Sequence, residues 1–416
     1  MKVSFGKGEY SWTNQADSEL TQRLRPEIAR FEKALKWINR LEFIFIMFPI
    51  HKVGSSRVPP LRAPAPSRRH PPPPGGPEPP RPRRCVPQVL TMWGFSKDFA
   101  DHMVFPLVAL FFGTGNQTPY VSAAVIARVF LDKELALFKY CPERLLSGTP
   151  EMFAFPNLEE CYRVVADNIP ARVHVNRGVA RVVRRRGRVE VTDANGVTEQ
   201  FDEIVYAATT ETALQTLEKP SWLERKLLSN VRYFNDLIVT HEDEEYMGRH
   251  YELDEERDDM YFIRTDPANR KKVEMSFNLA KYQPHLVERD GKRRNVYQSI
   301  FLDGEDQANW TAGEIGENKV LKRRWVRAFA HTWTHFAKWV PWARFIQGTR
   351  HTWYAGSVTL FNTHEVATMS GLAVAHKLGA EYPFADDPLA MSQMRMYMTI
   401  AHGLRARWSL PKPSKK

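Results

Sequence analysis

The sequence predicts a mixed α/β fold whose two parts are interleaved along the chain: one of helices and an extended sheet, the other of a few strands ending in turns. Three stretches predict it. Residues from Asp17 to Ile50 carry apolar side chains at helical spacing. The stretch 173–211 reads as an antiparallel excursion that returns to a buried strand and then a helix. From Gln347 to Gly379 an aromatic segment passes through Ala355-Gly356-Ser357 into a helix rich in small residues.

In the first helix, Leu20, Leu24, Ile28, Phe31, Leu35, Ile38 and Leu41 recur every three or four residues, and Ser18 stands where a start is expected. The apolar run Leu41 to Ile50 is about ten residues long against the roughly 20 needed to span a bilayer, so it reads as a buried or interfacial helix end. No apolar core of signal-peptide length opens the chain, and the expected location is cytoplasmic, with the membrane periphery as the alternative. From Gly54 to Gln88 prolines and arginines replace core-forming residues. Residues 54–91 are therefore expected to be a disordered insertion of polyproline II character, with a mistranslated intron as one source. That insertion supplies a net +6 of the chain's +11, and no basic stripe interleaved with aromatics persists elsewhere, which sets nucleic acid aside. Cys85, Cys141 and Cys161 are too scattered for a disulfide framework or a zinc site.

Residues 93–130 read as helices joined at Gly113-Thr114-Gly115. Thr118 stands where a dinucleotide fingerprint would place its third glycine, so this is a turn and not a phosphate loop. Val173–Val175, Val179–Val183 and Val189–Val191 are expected strands, Asn195-Gly196 a hairpin, and Phe201–Ala208 the returning strand before a helix. Strands at 237–239, 260–263, 273–279 and 296–302 would form a second sheet. His241–Glu245 reads as a solvated turn, since no second ligand cluster stands at metal spacing. A helix is expected at 318–339, and a helix with a basic tail at 388–416. In the 347–379 stretch Asn362 is the expected N-cap, Glu365 closes a capping box, and Gly379 ends the helix. The free N–H groups of such a helix start accept an anion or a carbonyl oxygen.

The segments FFGTGNQTP (111–119) and YAGS…NTHE…SGL (354–372) resemble those of the flavin amine oxidase superfamily. The closer resemblance, over most of the chain, is to a branch of flavin-containing, amine-oxidase-like oxidoreductases. It implies an incomplete FAD-binding Rossmann-type domain and a substrate domain of helices and a mixed sheet. The division it implies is helical substrate domain at 1–53 and 92–165, adenine-side strands at 166–220, and substrate-domain sheet and helix at 221–345. The FAD-binding turn and helix follow at 346–382, then a terminal helix and tail at 383–416. The cofactor implied is non-covalent FAD. Val179 would pair with adenine, and the strand ending at Ala208 would pass near the phosphates. Gly356 and Ser357 would lie near the ribityl chain and phosphate, and the amides of Thr363 and His364 near the flavin carbonyl. Asn116 and Gln117 would face the substrate. Trp353 and Tyr354 are substrate candidates through their proximity to the turn, with core packing as the alternative.

The chain departs from that family's pattern at two places. The strand, glycine-rich turn and helix that hold the pyrophosphate have no counterpart, and Phe5–Asn14 already looks like substrate-domain sequence. An incomplete amino terminus and weak retention of FAD are the expectations. Where the family commonly carries a lysine, the stretch Arg232–Leu237 offers Asn235 and Asp236. The resemblance thus implies an FAD-dependent oxidoreductase acting on a small molecule, an amine or an apolar C–H compound. A dehydrogenase or desaturase of an acyl or isoprenoid substrate is one alternative, a non-catalytic remnant or interaction protein the other. Peripheral contact with a membrane or lipid is a further expectation, and no residue is assigned a catalytic role.

Overall fold

The computed structural model describes residues 2–4, 12–41, 90, 93–113, 118, 121–131, 139–148, 154–253, 259–266, 269, 272–286 and 294–404. The insertion apart from Leu90, the apolar run beyond Leu41, Asn116, Gln117 and the basic tail lie outside the described residues.

Two short strands, β1 (Lys2–Ser4) and β2 (Trp12–Thr13), precede α1 (Glu19–Arg40). Ser18 caps α1 in a reciprocal pair with Thr21, and the helix buries its stripe from Leu20 through Ile38. A helical stretch from Lys97 passes through a π turn at Ala100–Val104 into α2 (Phe105–Phe112), which ends at the left-handed Gly113. Helix α3 (Ala123–Leu131) packs beside α1, where Phe31 meets Phe95, Phe99 and Phe130 edge-on at 5.4–5.9 Å between ring centres. Helix α4 (Leu158–Asn168) buries none of its residues.

The expected excursion forms as an antiparallel sheet of β3 (Val179–Arg185), β4 (Arg188–Asp193) and β5 (Thr198–Phe201). At its Asn195-Gly196 turn the Asp193 carboxylate accepts from the amides of Asn195 and Val197. The segment 173–175 is not a strand: its side chains are exposed and no ladder holds it. The chain then runs through β6 (Ile204–Tyr206), α5 (Thr210–Thr216) and α6 (Trp222–Leu228).

The larger sheet collects β7 (Tyr233–His241), β8 (Tyr261–Thr265), β9 (Val273–Asn278), β10 (Tyr297–Phe301) and β11 (Val320–Phe329), with α7 (Glu244–Tyr251) between its first two strands. Its order is β11-β7-β10-β9-β8-β1-β2, antiparallel except where β1 runs parallel to β8. Leu237, Val239 and Phe301 meet Tyr246, Met247 and Tyr251 of α7 on one face. Tyr261, Ile263 and Met275 join the core of α1, α2 and α3 on the other.

Two expectations fail here. Residues 320–329 are not helix but an edge strand paired with β7 along its length. Valine, tryptophan and phenylalanine suit a pleated surface, while exposed Lys322, Arg323 and Arg324 guard the free edge. Nor is 241–245 a solvated turn. His241 is fully buried with Nε2 2.8 Å from Ser299 Oγ, and Asp243 caps α7 while accepting from the Gly316 amide. Among the described residues no group of acidic, histidine and cysteine side chains could hold a metal ion. The chain closes with α8 (Trp333–Lys338), β12 (Thr352–Tyr354), α9 (His364–Lys377) and α10 (Pro388–His402).

Candidate functional site

Strands β6 and β12, far apart in sequence, pair in parallel with Ile204, Val205 and Tyr206 opposite Thr352, Trp353 and Tyr354. The ladder ends where the Ala355 amide donates to the Tyr206 carbonyl at 2.8 Å. Both strands therefore leave the sheet at one end, through Ala207-Ala208 and through Ala355-Gly356. In open parallel sheets, that is the end where ligands bind. Among the described residues the other edge of β6 has no partner strand, and Val205 is 42% exposed. Beside it lies a cleft of about 440 Å³ whose walls include Val179, Val191, Phe201, Ala207, Ala208 and Thr212. The structure thus brings Val179 and Ala208 together, and sets Gly356 and Ser357 at the carboxyl end of the same strand pair.

Gly356 has φ +105°, a conformation that side-chain-bearing residues rarely adopt, and a Cβ there would meet nothing within 4 Å. Its backbone borders open space, as a cradle for a bulky group requires. The turn is held from behind: the Gly356 amide donates to Ser370 Oγ at 2.7 Å, and Ser357 Oγ donates to Asn362 Oδ1 at 3.2 Å. Helix α9 starts one residue later than the sequence suggests. Thr363 is the N-cap, accepting from the Val366 amide, so the Asn362–Glu365 box does not form. Asn362 is diverted because its amide donates to His331 Nε2 at 2.8 Å. The Thr363 amide donates to the Phe361 carbonyl and is not free for a ligand, against the expectation. Thr363, His364 and Glu365 are all exposed, so the amino end of α9 opens outward. The His364 ring meets the Tyr162 hydroxyl of α4.

Trp353 and Tyr354 are both buried and held by hydrogen bonds within the fold. Trp353 is 9% exposed and donates from Nε1 to Glu203 at 2.9 Å. Tyr354 is 3% exposed, stacks on Tyr206 and donates to Glu224. Glu224 is fully buried and ion-paired with Arg184, whose side chain is itself buried, and it accepts from the Ser221 amide. Burial pushes its carboxyl up, but the Arg184 and Ser221 hydrogen bonds overcome this and hold it at about 2. This knot joins β3, α6 and β12 behind the cleft. Ser221 and Glu224 show the capping-box spacing, so half of the knot has a sequence signal; Arg184 sits in an arginine run that reads as a turn.

A second feature the sequence did not disclose lies on the opposite side of the turn. Phe112, Phe329 and Phe361 surround His331 at 4.9–5.3 Å between ring centres. His335, also buried, stands 4.9 Å from Phe329. Burial lowers both imidazoles to about 3, so they are neutral near pH 7. In β7, Asp236 is 6% exposed and accepts from the Asp303 amide at 2.8 Å. Burial and the neighbouring Asp303 charge raise its carboxyl to about 6 against that hydrogen bond.

No protein-family model matches this chain, and no curated protein does. Among solved structures it is similar to a CLA-producing fatty acid isomerase from P. acnes, with TM-score 0.55 and 12% identity, over 90% of this chain and 79% of that one. It is also similar to wild-type putrescine oxidase bound to putrescine, with TM-score 0.52 and 9% identity, over 91% of this chain and 81% of that one. At such identities the likeness is one of fold. The chain shares the mixed α/β fold of these two enzymes.

Proposed function

We propose that this protein is an FAD-dependent, amine-oxidase-like oxidoreductase that removes a hydride equivalent from a small molecule. The observation that carries the reading is the parallel pair β6–β12. Its carboxyl ends open on a cleft at Val179 and Ala208, and its continuation through left-handed Gly356 leads to the exposed start of α9. FAD would be held without a covalent bond by Val179, Ala208, Gly356, Ser357 and His364; no cysteine occurs between Gln347 and Gly379. Bound flavin supplies the hydride acceptor, and the protein supplies orientation and exclusion of water. Ser370 and His331 fix the two ends of the turn, while Phe112, Phe329 and Phe361 keep its inner side dry.

An amine substrate is the first reading, and it draws on the likeness in fold to the putrescine oxidase. A lipid-like substrate is the second reading. It draws on the likeness in fold to the fatty acid isomerase. The test is an anaerobic mixture of the full chain and FAD, to which a primary amine or an unsaturated fatty acid is added. Bleaching of the flavin absorption by one class supports the enzyme and chooses its substrate. Unchanged flavin with both classes, and with isoprenoids, supports a non-catalytic protein instead.

A further inference from the structure

On the exposed second half of α1, Arg30, Lys33, Trp37 and Leu41 succeed one another at three- and four-residue steps and so form one stripe. The stripe forms one wall of a half-open groove of about 580 Å³, with Trp93 and Phe95 opposite. Its apolar members stay in water: Trp37 is 56% and Leu41 39% exposed. The cations are set around them. The Arg30 guanidinium lies 5.1 Å from the Phe95 ring centre and donates to the Gly94 carbonyl, and Arg40 lies 5.9 Å from the Trp37 ring centre. Between Ala29 and Leu41 the chain carries Arg30, Lys33, Lys36 and Arg40 against Glu32 alone. No described helix is long and apolar enough to cross a membrane.

We propose that this groove seats the protein on the surface of a bilayer containing anionic phospholipid. An indole and a leucine entering the headgroup region, with lysine and arginine at the same level, is the arrangement that holds a peripheral helix at that interface. The apolar floor of Trp93 and Phe95 accepts acyl chain, and the cations of α1 pair with the phosphates and carboxylates above it. The apolar run that follows Leu41 lies outside the described residues.

The experiment sediments the full chain with phosphatidylcholine vesicles, with and without phosphatidylserine, at low and high salt. Binding to the anionic vesicles only, weakened by salt, is expected. A Trp37→Ala, Lys33→Glu, Arg40→Glu variant with an unchanged circular dichroism spectrum should bind at least about tenfold less, since each surface cation contributes a several-fold increase in partition. Wild-type chain that stays in the supernatant overturns the proposal. So does a variant that binds as well as wild type, which would assign binding to the arginines between Arg57 and Arg84. A third contrary result is a melting temperature raised by monomeric decanoate without vesicle binding, which would make the groove a small-ligand site.

Discussion

Glu224 is fully buried, so its charge depends on Arg184, the Ser221 amide and the Tyr354 hydroxyl. Removing one member of such a pair leaves the other buried and uncompensated. Glu224→Gln should therefore lower the unfolding free energy by about 3–5 kcal/mol in a denaturant titration. The sign of its pH dependence follows from a folded pKa of about 2 against an ordinary 4.5. The stabilisation is complete above the ordinary value and is lost as pH falls from there through about 2. Gly348 is a second sensitive point. It has φ +70°, and a Cβ there would lie 2.6 Å from the Trp353 ring. Gly348→Ala should cost about 1–3 kcal/mol of unfolding free energy in a denaturant titration. At this scale the sequence disclosed residues that need special backbone, such as Gly356, because glycine advertises them. It hid Arg184 and His331, whose roles exist only through residues 40 and 31 positions away.

Among the elements, the junction of β11, α8 and the loop before α9 is where acid should act first. His331 and His335 are held near about 3 and His241 and His402 near about 4, mainly by burial. The unfolded chain takes up these protons below about pH 6.5 while the folded chain does not, so stability falls as pH drops from 6.5 toward 4. The slope should be about 1.4 kcal/mol per pH unit for each imidazole. Among the described residues the His335 ring makes no hydrogen bond beyond a loose approach to the Leu360 carbonyl, and it lies between Phe329 and Phe336. His335→Phe should therefore keep the fold and flatten that slope by one proton, measured as unfolding free energy against pH. A slope that the variant leaves unchanged would contradict the neutral, buried assignment. The same junction explains why element boundaries were only partly legible. The helical periodicity of α1 and the Asn195-Gly196 hairpin are local signals, and both elements form. Strand β11 is an edge whose identity comes from pairing with β7, and the start of α9 is moved by the contact between Asn362 and His331. Neither cause is written in the segment itself.

In the whole molecule, two segments 148 residues apart, Ile204 and Thr352 with the strands they begin, meet to make the mouth of the cleft. The sequence carried the nature of both segments, a buried returning strand and an aromatic strand running into a glycine turn, and so the class of fold. It could not carry their register, nor show that Trp353 and Tyr354 would be spent on holding the pair together. This mouth is the proposed seat of the flavin. The direct measurement is the melting temperature of the full chain against added FAD, for wild type and for Ala208→Arg, a substitution at an exposed wall residue, and Gly356→Val. A ligand of the native state must stabilise it, by about 2.7 kcal/mol at a hundredfold excess over its dissociation constant. The expected result is a melting temperature that climbs as FAD is added, and loss of that rise in both variants. No rise at any FAD concentration, or a rise that both variants retain, would contradict it.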